Sequence, residues 1–152
     1  MNPDTNTNEK TQGCFSKKAV IIYHSKRGTT KKFAKNICEF LKNKDVEGKI
    51  IAIENLNLID LENIDYLFLG CWTSGYIIFG QKPDIYWYKF SEKLPDLQKF
   101  QVCLFTTYKI ATGSMYKNLK ISLKSENKDL PFLKSRNGEL NIKITKQLNE
   151  FV

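Results

Sequence analysis

The stretch from Ala19 to Thr30 reads AVIIYHSKRGTT, and it decides the fold. Its first five residues are apolar and mostly β-branched, which is typical of a buried β-strand. A short turn rich in hydroxyl side chains follows, and from about Thr30 the apolar residues recur at helical spacing. A strand that passes through a tight turn directly into a helix is the opening unit of an α/β fold with a parallel sheet.

The same alternation continues to the end of the chain. Continuous apolar runs predict further strands at residues 49–53, 65–71, 101–106 and 132–135. Helical spacing predicts a helix that opens at Pro83, one from Met115 to about Ser125 and one from Asn141 to Phe151. Pro83 is expected in the first helical turn, where its missing N–H leaves no hydrogen bond unmade. Since uniformly apolar strands are typical of parallel sheets, we predict an α/β three-layer sandwich with about five parallel strands.

The length and composition fit one ordinary domain. The chain has 152 residues, of which 41% are hydrophobic and 26% charged, so it can bury a sizeable core. These values exclude a disulfide miniprotein, a collagen-like chain and a wholly disordered protein. We predict a disordered polar leader at residues 1–16 and one domain at residues 17–152. The leader has no apolar stretch and the chain has no run of 18 apolar residues, so we expect no signal peptide, no membrane helix and a cytoplasmic location.

The charge is strongly positive, with 24 basic and 16 acidic residues and a net charge of +8. Such a balance can indicate a polyanionic partner, but the basic residues are spread along the chain and only Arg27 and Arg136 are arginines. A solvated basic surface is therefore favoured over nucleic-acid binding.

The four cysteines form no C-x-x-C pair and His24 is the single histidine, so no metal site is expected. Cys71 and Cys103 lie in apolar runs and are predicted to be buried thiols.

The turn after the first strand suits a phosphate group. The first N–H groups of a helix have no intrahelical partner, and the helix dipole favours an anion there. Ser25, Thr29 and Thr30 offer hydroxyl donors, Gly28 permits a tight turn, and Arg27 can add a charge-assisted contact. The residues match neither the Walker A pattern nor G-x-G-x-x-G. The alternative is an ordinary strand-to-helix turn with a solvated basic cluster.

Two more loops lead from the same edge of the predicted sheet, since ligands of such sheets bind beyond the carboxyl ends of the strands. Gly70 to Tyr76 reads GCWTSGY, and Thr106 to Gly113 reads TTYKIATG. Each loop carries glycine and aromatic residues, so a phosphorylated ligand with a planar ring could stack there. The alternative is that Trp72, Tyr76 and Tyr108 only cover the edge of the core.

Together these features resemble the flavodoxin family over residues 18 to 152. The stretch from Ser25 to Thr30 is similar to the family's phosphate loop, usually Ser/Thr-x-Thr-Gly-x-Thr, and residues 70–75 and 106–108 are similar to its next two loops. The segment from Ser135 to Leu140 is similar to the family's segment before the last helix. The resemblance implies the sheet order 2-1-3-4-5 and one bound FMN, with no catalytic side chain. It also implies a phosphate site at Ser25, Lys26, Arg27, Gly28, Thr29 and Thr30 (the phosphate loop) and ring contacts from Trp72, Thr73, Ser74, Gly75, Tyr76, Thr106, Thr107, Tyr108 and Lys109.

The sequence departs from the family's pattern at three points. Arg27 replaces the usual threonine, and Ser74 stands where an aromatic residue often lies, while Trp72 comes two residues earlier. Family electron carriers are commonly acidic and this chain is basic, so a redox partner that is itself acidic is expected. Lys109 lies in the third loop, and positive charge near the ring should stabilise the anionic reduced flavin. The predicted hydroquinone potential is therefore less negative than in acidic members.

Three functions are compatible with these features. An FMN electron carrier passing electrons between redox partners is favoured. An FMN-dependent reductase of a small organic acceptor is the first alternative, with residues 77–82 available to line a substrate pocket. A basic module that keeps the fold without flavin is the second. His24 beside the phosphate loop either donates to the phosphate or packs at the strand end, and the structural role is favoured slightly.

Overall fold

A parallel five-stranded sheet forms the centre of the protein in a computed structural model that describes residues 17–75, 79–127 and 129–152. The strands are β1 (Lys17–His24), β2 (Val46–Ala52), β3 (Tyr66–Trp72), β4 (Gln101–Thr107) and β5 (Phe132–Ser135). Their order is β2-β1-β3-β4-β5, and every neighbouring pair is parallel. The predicted fold and strand order are confirmed. The polar leader predicted at residues 1–16 lies outside the described residues.

The described residues form four α-helices: α1 (Thr29–Lys42), α2 (Ile85–Ser91) and α3 (Met115–Ser122) connect strands, and α4 (Ile142–Phe151) follows β5. Three short 3₁₀ turns lie at Ile53–Asn55, Leu58–Leu61 and Leu97–Lys99. The predicted start of α2 at Pro83 is wrong, because Asp84 is the N-cap and its Oδ1 accepts the Trp87 N–H at 3.1 Å. An aspartate side chain satisfies an N–H that the helix leaves unpaired, so the helix begins after it.

The helices cover both faces of the sheet, which makes the predicted three-layer sandwich. On one face, Phe33 and Ile37 of α1 and Ile144 and Leu148 of α4 pack against alternate residues of the strands. On the other face, α2 and α3 do the same with Trp87, Phe90, Met115 and Leu119. Strands buried on both faces explain the continuous apolar runs in the sequence. No helix within the described ranges is both long and apolar enough to cross a bilayer.

The strand register brings the carboxyl ends of β1, β3 and β4 together. His24 pairs with Cys71, and Trp72 pairs with Thr107. The chain leaves β1 outward to β2 and returns to β3 on the other side, so the connections diverge between β1 and β3. Such a divergence opens a crevice beyond the carboxyl ends of the strands. The three loops singled out in the sequence meet at this crevice.

Candidate functional site

A cavity of about 290 Å³ lies at the carboxyl edge of the sheet and opens to solvent. Twelve of the predicted site residues line it: Ser25, Lys26, Arg27, Thr29, Thr30, Trp72, Thr73, Ser74, Gly75, Thr107, Tyr108 and Lys109. Gly28 and Thr106 are not among its lining residues, and Tyr76 lies outside the described residues. The topology therefore gathers side chains from all three loops around one space.

The phosphate loop is fixed by its own hydrogen bonds. Gly28 adopts φ +90°, a left-handed conformation that favours glycine, and donates its N–H to Ser25 Oγ at 2.9 Å. Gly28 is also the N-cap of α1. Because glycine has no side chain, the N-cap residue offers no side-chain acceptor to the first helical N–H groups. The first turn of α1 contains no acidic residue. A helix start with free N–H groups and no carboxylate is suited to hold an anion.

Hydroxyl groups join this loop to the end of β4. Thr30 and Thr107 are both buried, and their Oγ1 atoms lie 2.6 Å apart. Thr106, on the opposite face of β4, donates its hydroxyl to the Cys71 carbonyl at 2.6 Å and lies 3.0 Å from Thr73 Oγ1. Thr106 is therefore placed to position the loop that follows β3, whereas Thr107 lines the cavity itself.

The loop after β3 comprises residues 73–82 and is called the β3 loop here; residues 76–78 are outside the described part. The Thr73 N–H donates to the Thr107 carbonyl at 2.8 Å. Ser74 and Lys82 then exchange two backbone hydrogen bonds, each 3.0 Å long, which close the loop. Gly75 has φ +117°, and a Cβ there would overlap the Gly80 carbonyl oxygen. A residue other than glycine at this position would force the loop apart.

Trp72 ends β3 beside the phosphate loop. The Lys26 ammonium nitrogen lies 4.9 Å from the centroid of its indole ring, within the range of a cation–π interaction. Its indole Nε1 is buried and has no hydrogen-bond partner among the described residues. Two residues earlier in β3, Gly70 has no side chain, and the Phe105 ring of β4 occupies the space that a side chain there would need. Because burial without a partner is unfavourable for an N–H group, this atom is suited to a ligand acceptor.

The loop after β4 supplies the remaining wall, with Tyr108, Lys109, Ile110 and Ala111. Arg136, which follows β5, donates to the Lys109 carbonyl from Nε at 3.1 Å and from Nη2 at 2.9 Å. The Tyr108 N–H donates to the Ser135 carbonyl at 3.2 Å. These bonds attach the loop to β5 and bring a second arginine to the cavity.

All the charged side chains that line the cavity in the described part are cations: Lys26, Arg27, Lys109 and Arg136. Carboxylates near this edge have partners elsewhere. Asp84 Oδ2 lies 2.6 Å from His24 Nε2, and Glu139 is paired with Lys32. His24 thus has a structural partner, as the sequence favoured, and it does not line the cavity. The local field therefore favours anionic ligands and anionic states of a bound group.

The three cysteines in the described part, Cys38, Cys71 and Cys103, are not among the residues that line the cavity. Cys71 and Cys103 are fully buried, as predicted, and burial raises the pKa of both thiols well above the ordinary value. Both thiols therefore remain protonated at neutral pH. No cluster of metal-binding side chains exists within residues 17–75, 79–127 and 129–152.

The sequence did not single out four of the lining residues as site residues: Gln81, Ile110, Ala111 and Arg136. Ile110 and Ala111 belong to the loop from Thr106 to Gly113 that was identified, but the predicted ring contacts ended at Lys109. Arg136 immediately follows β5, and the rule that ligands lie beyond strand ends would have found it. Gln81 belongs to the stretch 77–82 that was considered only for a substrate pocket; the pairing of Ser74 with Lys82 and the hydrogen bonds that Ser114 and Asn118 donate to its carbonyl hold it at the cavity.

Comparison with known proteins gives a consistent result. The family model described as Flavodoxin matches residues 21–126. Oxidised flavodoxin 2 from Bacillus cereus is similar in structure, with a TM-score of 0.65 and 19% identity over 88% of this chain and 94% of that chain. A Fusobacterium nucleatum flavodoxin mutant bound to flavin mononucleotide gives a TM-score of 0.54 and 19% identity over 91% of this chain and 95% of that chain.

A larger protein contains the same fold. Rubredoxin oxygen:oxidoreductase from Desulfovibrio gigas gives a TM-score of 0.67 and 18% identity over 88% of this chain but 34% of that chain. The search of curated protein sequences found no match. At these identities the solved structures show the fold, whereas the family model spans more than half of the sequence. The chain belongs to the flavodoxin family.

Proposed function

We propose that this protein is an FMN-binding electron carrier of the flavodoxin type. Membership of the family supports FMN as the cofactor and electron transfer as the role. The observation that carries the proposal is the single cavity in which a helix N-terminus with hydroxyl and cationic side chains faces loops with aromatic and apolar side chains. Bound FMN would supply the electron chemistry, and the protein would bind it, orient it and set its potential.

The phosphate loop is the part that would hold the phosphate. The α1 N-terminus supplies backbone N–H groups, Ser25 and Thr29 supply hydroxyls, and Arg27 supplies a charge. Gly28 would act through the conformation of the turn, because its own N–H is donated to Ser25. The orphaned Trp72 N–H is a further donor at the same cavity. This donor set fits a dianionic phosphate.

The β3 loop and the loop after β4 would hold the isoalloxazine ring. Tyr108, Ile110 and Ala111 offer an aromatic and apolar wall, and Gly75 and the Ser74 side chain line the same cavity. Tyr76 stays a predicted ring contact. With Lys109 and Arg136 beside this part of the cavity, the anionic reduced flavin should be stabilised, so the hydroquinone potential should be less negative than in acidic flavodoxins.

The redox partner is proposed to be an acidic protein. Four cations line the cavity, which opens to solvent, and the lining residue Ile110 adds an exposed apolar side chain. Complementary charge speeds encounter and orients the partner. Reduction of a small acidic iron–sulfur protein should therefore slow steeply as ionic strength rises from 20 to 300 mM. A rate that is flat with salt would contradict the acidic partner.

A reductase of a small organic acceptor is the second candidate, and the position of Gln81 favours it. This residue belongs to the stretch 77–82 that could line a substrate pocket, and it does line the cavity. Steady-state oxidation of NADH or NADPH by the purified flavin-loaded protein with a quinone or nitroaromatic acceptor would support this function. Turnover only in the presence of a protein reductase would support the electron carrier.

The first experiment is a visible spectrum of the purified protein, followed by titration with FMN. Flavin absorption bands or quenching of FMN fluorescence at micromolar protein would support the proposal. A colourless protein that does not quench FMN would overturn it and favour the flavin-free module. A steeply salt-dependent DNA titration would then be the next test of that module.

A cytoplasmic location is also proposed. Cys38, Cys71 and Cys103 carry free thiols, as is usual for proteins in a reducing compartment. Fractionation of cells that make the tagged protein would test the location. Recovery in a secreted fraction would contradict it.

A further inference from the structure

We infer that Trp72 is a phosphate-binding residue, whose indole N–H donates to the phosphate of FMN, and that it is not the ring that stacks on the flavin. The inference rests on the proposed function and deepens it, because it assigns a role to a residue at a position where the phosphate loop and β3 meet. It also separates recognition of the phosphate from recognition of the ring.

The strand register places Trp72 on the phosphate side of the cavity. Trp72 pairs with Thr107, and side chains of paired residues in neighbouring strands point to the same face of a sheet. The Thr107 hydroxyl contacts Thr30 in the first turn of α1. On the other side, Cys71 pairs with His24, so the next residues along, Trp72 and Ser25, lie beside each other. Trp72 therefore lies beside the phosphate loop, whose last two residues begin α1.

The surroundings of the indole ring support an anion at its edge. The Lys26 ammonium lies over the ring, 4.9 Å from its centroid, so one face of the ring is already covered by a residue of the phosphate loop. A ring whose face is covered in this way is poorly available for stacking on a flavin. Its edge carries the buried, unpartnered Nε1–H, and both residues line the same cavity as Arg27.

The donor is suited to an acceptor with negative charge. An indole N–H donates and cannot accept, so its partner must be an acceptor such as an oxygen atom of a ligand or a water. Hydrogen bonds to charged groups are stronger than those between neutral groups, and a phosphate oxygen beside Lys26 and the α1 N-terminus is such a partner.

The test compares Trp72→Phe with the unchanged protein for binding of FMN and of riboflavin, which lacks the phosphate. Phenylalanine keeps an aromatic ring and removes the N–H. We expect FMN affinity to fall about tenfold, which corresponds to about 1.4 kcal/mol, while riboflavin affinity changes by less than about twofold. Equal losses for both flavins would mean that Trp72 stacks on the ring, and no loss for either would mean that the N–H has no role; each result overturns the inference.

Trp87→Phe is the matched control. Trp87 belongs to α2 and is buried against the opposite face of the sheet, and its Nε1 donates to Ser122 Oγ at 3.1 Å. Both flavin affinities should be unchanged in this variant. It also leaves Trp72 as the single tryptophan, because the chain has two. Circular dichroism and urea unfolding check that both variants are folded.

A second measurement does not depend on flavin. The two indole N–H signals in a ¹H–¹⁵N spectrum are assigned with the Trp87→Phe variant, and inorganic phosphate is then added. We expect the Trp72 signal to shift and the Trp87 signal to stay. An unmoved Trp72 signal at phosphate concentrations that shift backbone signals of Thr29 and Thr30 would overturn the inference. If the unchanged protein binds neither FMN nor riboflavin, the proposed function fails; if it binds FMN but Trp72→Phe behaves alike toward both flavins, this inference alone fails.

Discussion

The phosphate loop and the β3 loop leave the same edge of the sheet, but the protein holds them in different ways. The phosphate loop is short, closes with the Gly28-to-Ser25 hydrogen bond, and runs into a helix of 14 residues. Among the described residues of the β3 loop, Ser74 pairs with Lys82, the Gln81 carbonyl accepts hydrogen bonds from Ser114 and Asn118, and Gly75 adopts a left-handed conformation. In the proposed site, the phosphate half is therefore supported by a regular helix, whereas the ring half depends on the local backbone geometry of the β3 loop.

Gly75→Ala should have the largest effect on flavin affinity, because the substitution disrupts the close approach of Gly75 and Gly80 in the β3 loop. The added Cβ would overlap the Gly80 carbonyl oxygen, and the positive φ adds backbone strain. We expect FMN affinity to fall by at least ~30-fold, or about 2 kcal/mol, with riboflavin affected equally. Titration by flavin fluorescence quenching measures both.

Gly80→Ala is the control in the same loop. Gly80 also has a positive φ, but a Cβ there would meet nothing within 4 Å. Its effect should be limited to strain of about 1 kcal/mol. Equal losses in the two variants would show that the closure of the β3 loop does not depend on the close approach of Gly75 and Gly80.

Thr107→Val should have the next largest effect, this time on the stability of the protein without flavin. The substitution leaves the buried Thr30 hydroxyl without its partner at 2.6 Å. We expect the free energy of unfolding to fall by about 1–3 kcal/mol in urea denaturation. The double variant Thr30→Val/Thr107→Val removes both hydroxyls and should recover most of this loss. A double variant as unstable as the sum of the single variants would argue against a coupled pair.

Lys109→Gln should lower the potential of the bound flavin. Loss of one positive charge beside the ring half of the cavity destabilises the anionic reduced flavin, so the hydroquinone midpoint should become more negative by an amount on the order of tens of millivolts. Lys99→Gln is the control, since Lys99 precedes β4 at the opposite edge of the sheet. Potentiometry that finds equal shifts in the two variants would contradict a local effect of Lys109.

Arg27→Gln should have the smallest effect, because the side chain is exposed and a single exposed charge contributes at most about 1 kcal/mol. FMN affinity should fall by up to about fivefold at low salt and less at 300 mM salt, and riboflavin affinity should not change. Lys42→Gln, at the far end of α1, should leave both affinities unchanged. A loss of riboflavin affinity in Arg27→Gln would contradict the division of the site into a phosphate half and a ring half.

The sequence alone was sufficient to predict the fold, and it led to the proposal of a phosphate site at the first turn, for a physical reason. Buried parallel strands require continuous apolar residues, and a tight strand-to-helix turn requires Gly28 and small hydroxyl residues, so local composition records both. The start of α2 was placed two residues too early, because a proline can precede an N-cap or lie in the first helical turn. The Asp84 hydrogen bond, which identifies the N-cap, is not visible in the sequence.

The ring half of the site was harder to predict because long-range pairing determines it. Gln81 lines the cavity through the Ser74–Lys82 pair, which no local pattern indicates. The side of the cavity on which Trp72 lies depends on its register with Thr107 in another strand. A shift of one residue in that register would move the indole to the other face of the sheet.

The contact between Gly70 and Phe105 implies a rule of substitution for the whole family of sequences that share this sheet. The Phe105 ring fills the volume that a side chain at position 70 would need. The two positions therefore share one volume across neighbouring strands, so a larger residue at position 70 requires a smaller one at position 105. A relative with alanine or a larger residue at position 70 should carry a smaller residue at position 105, and the exchange should leave the strand end that carries Trp72 unmoved.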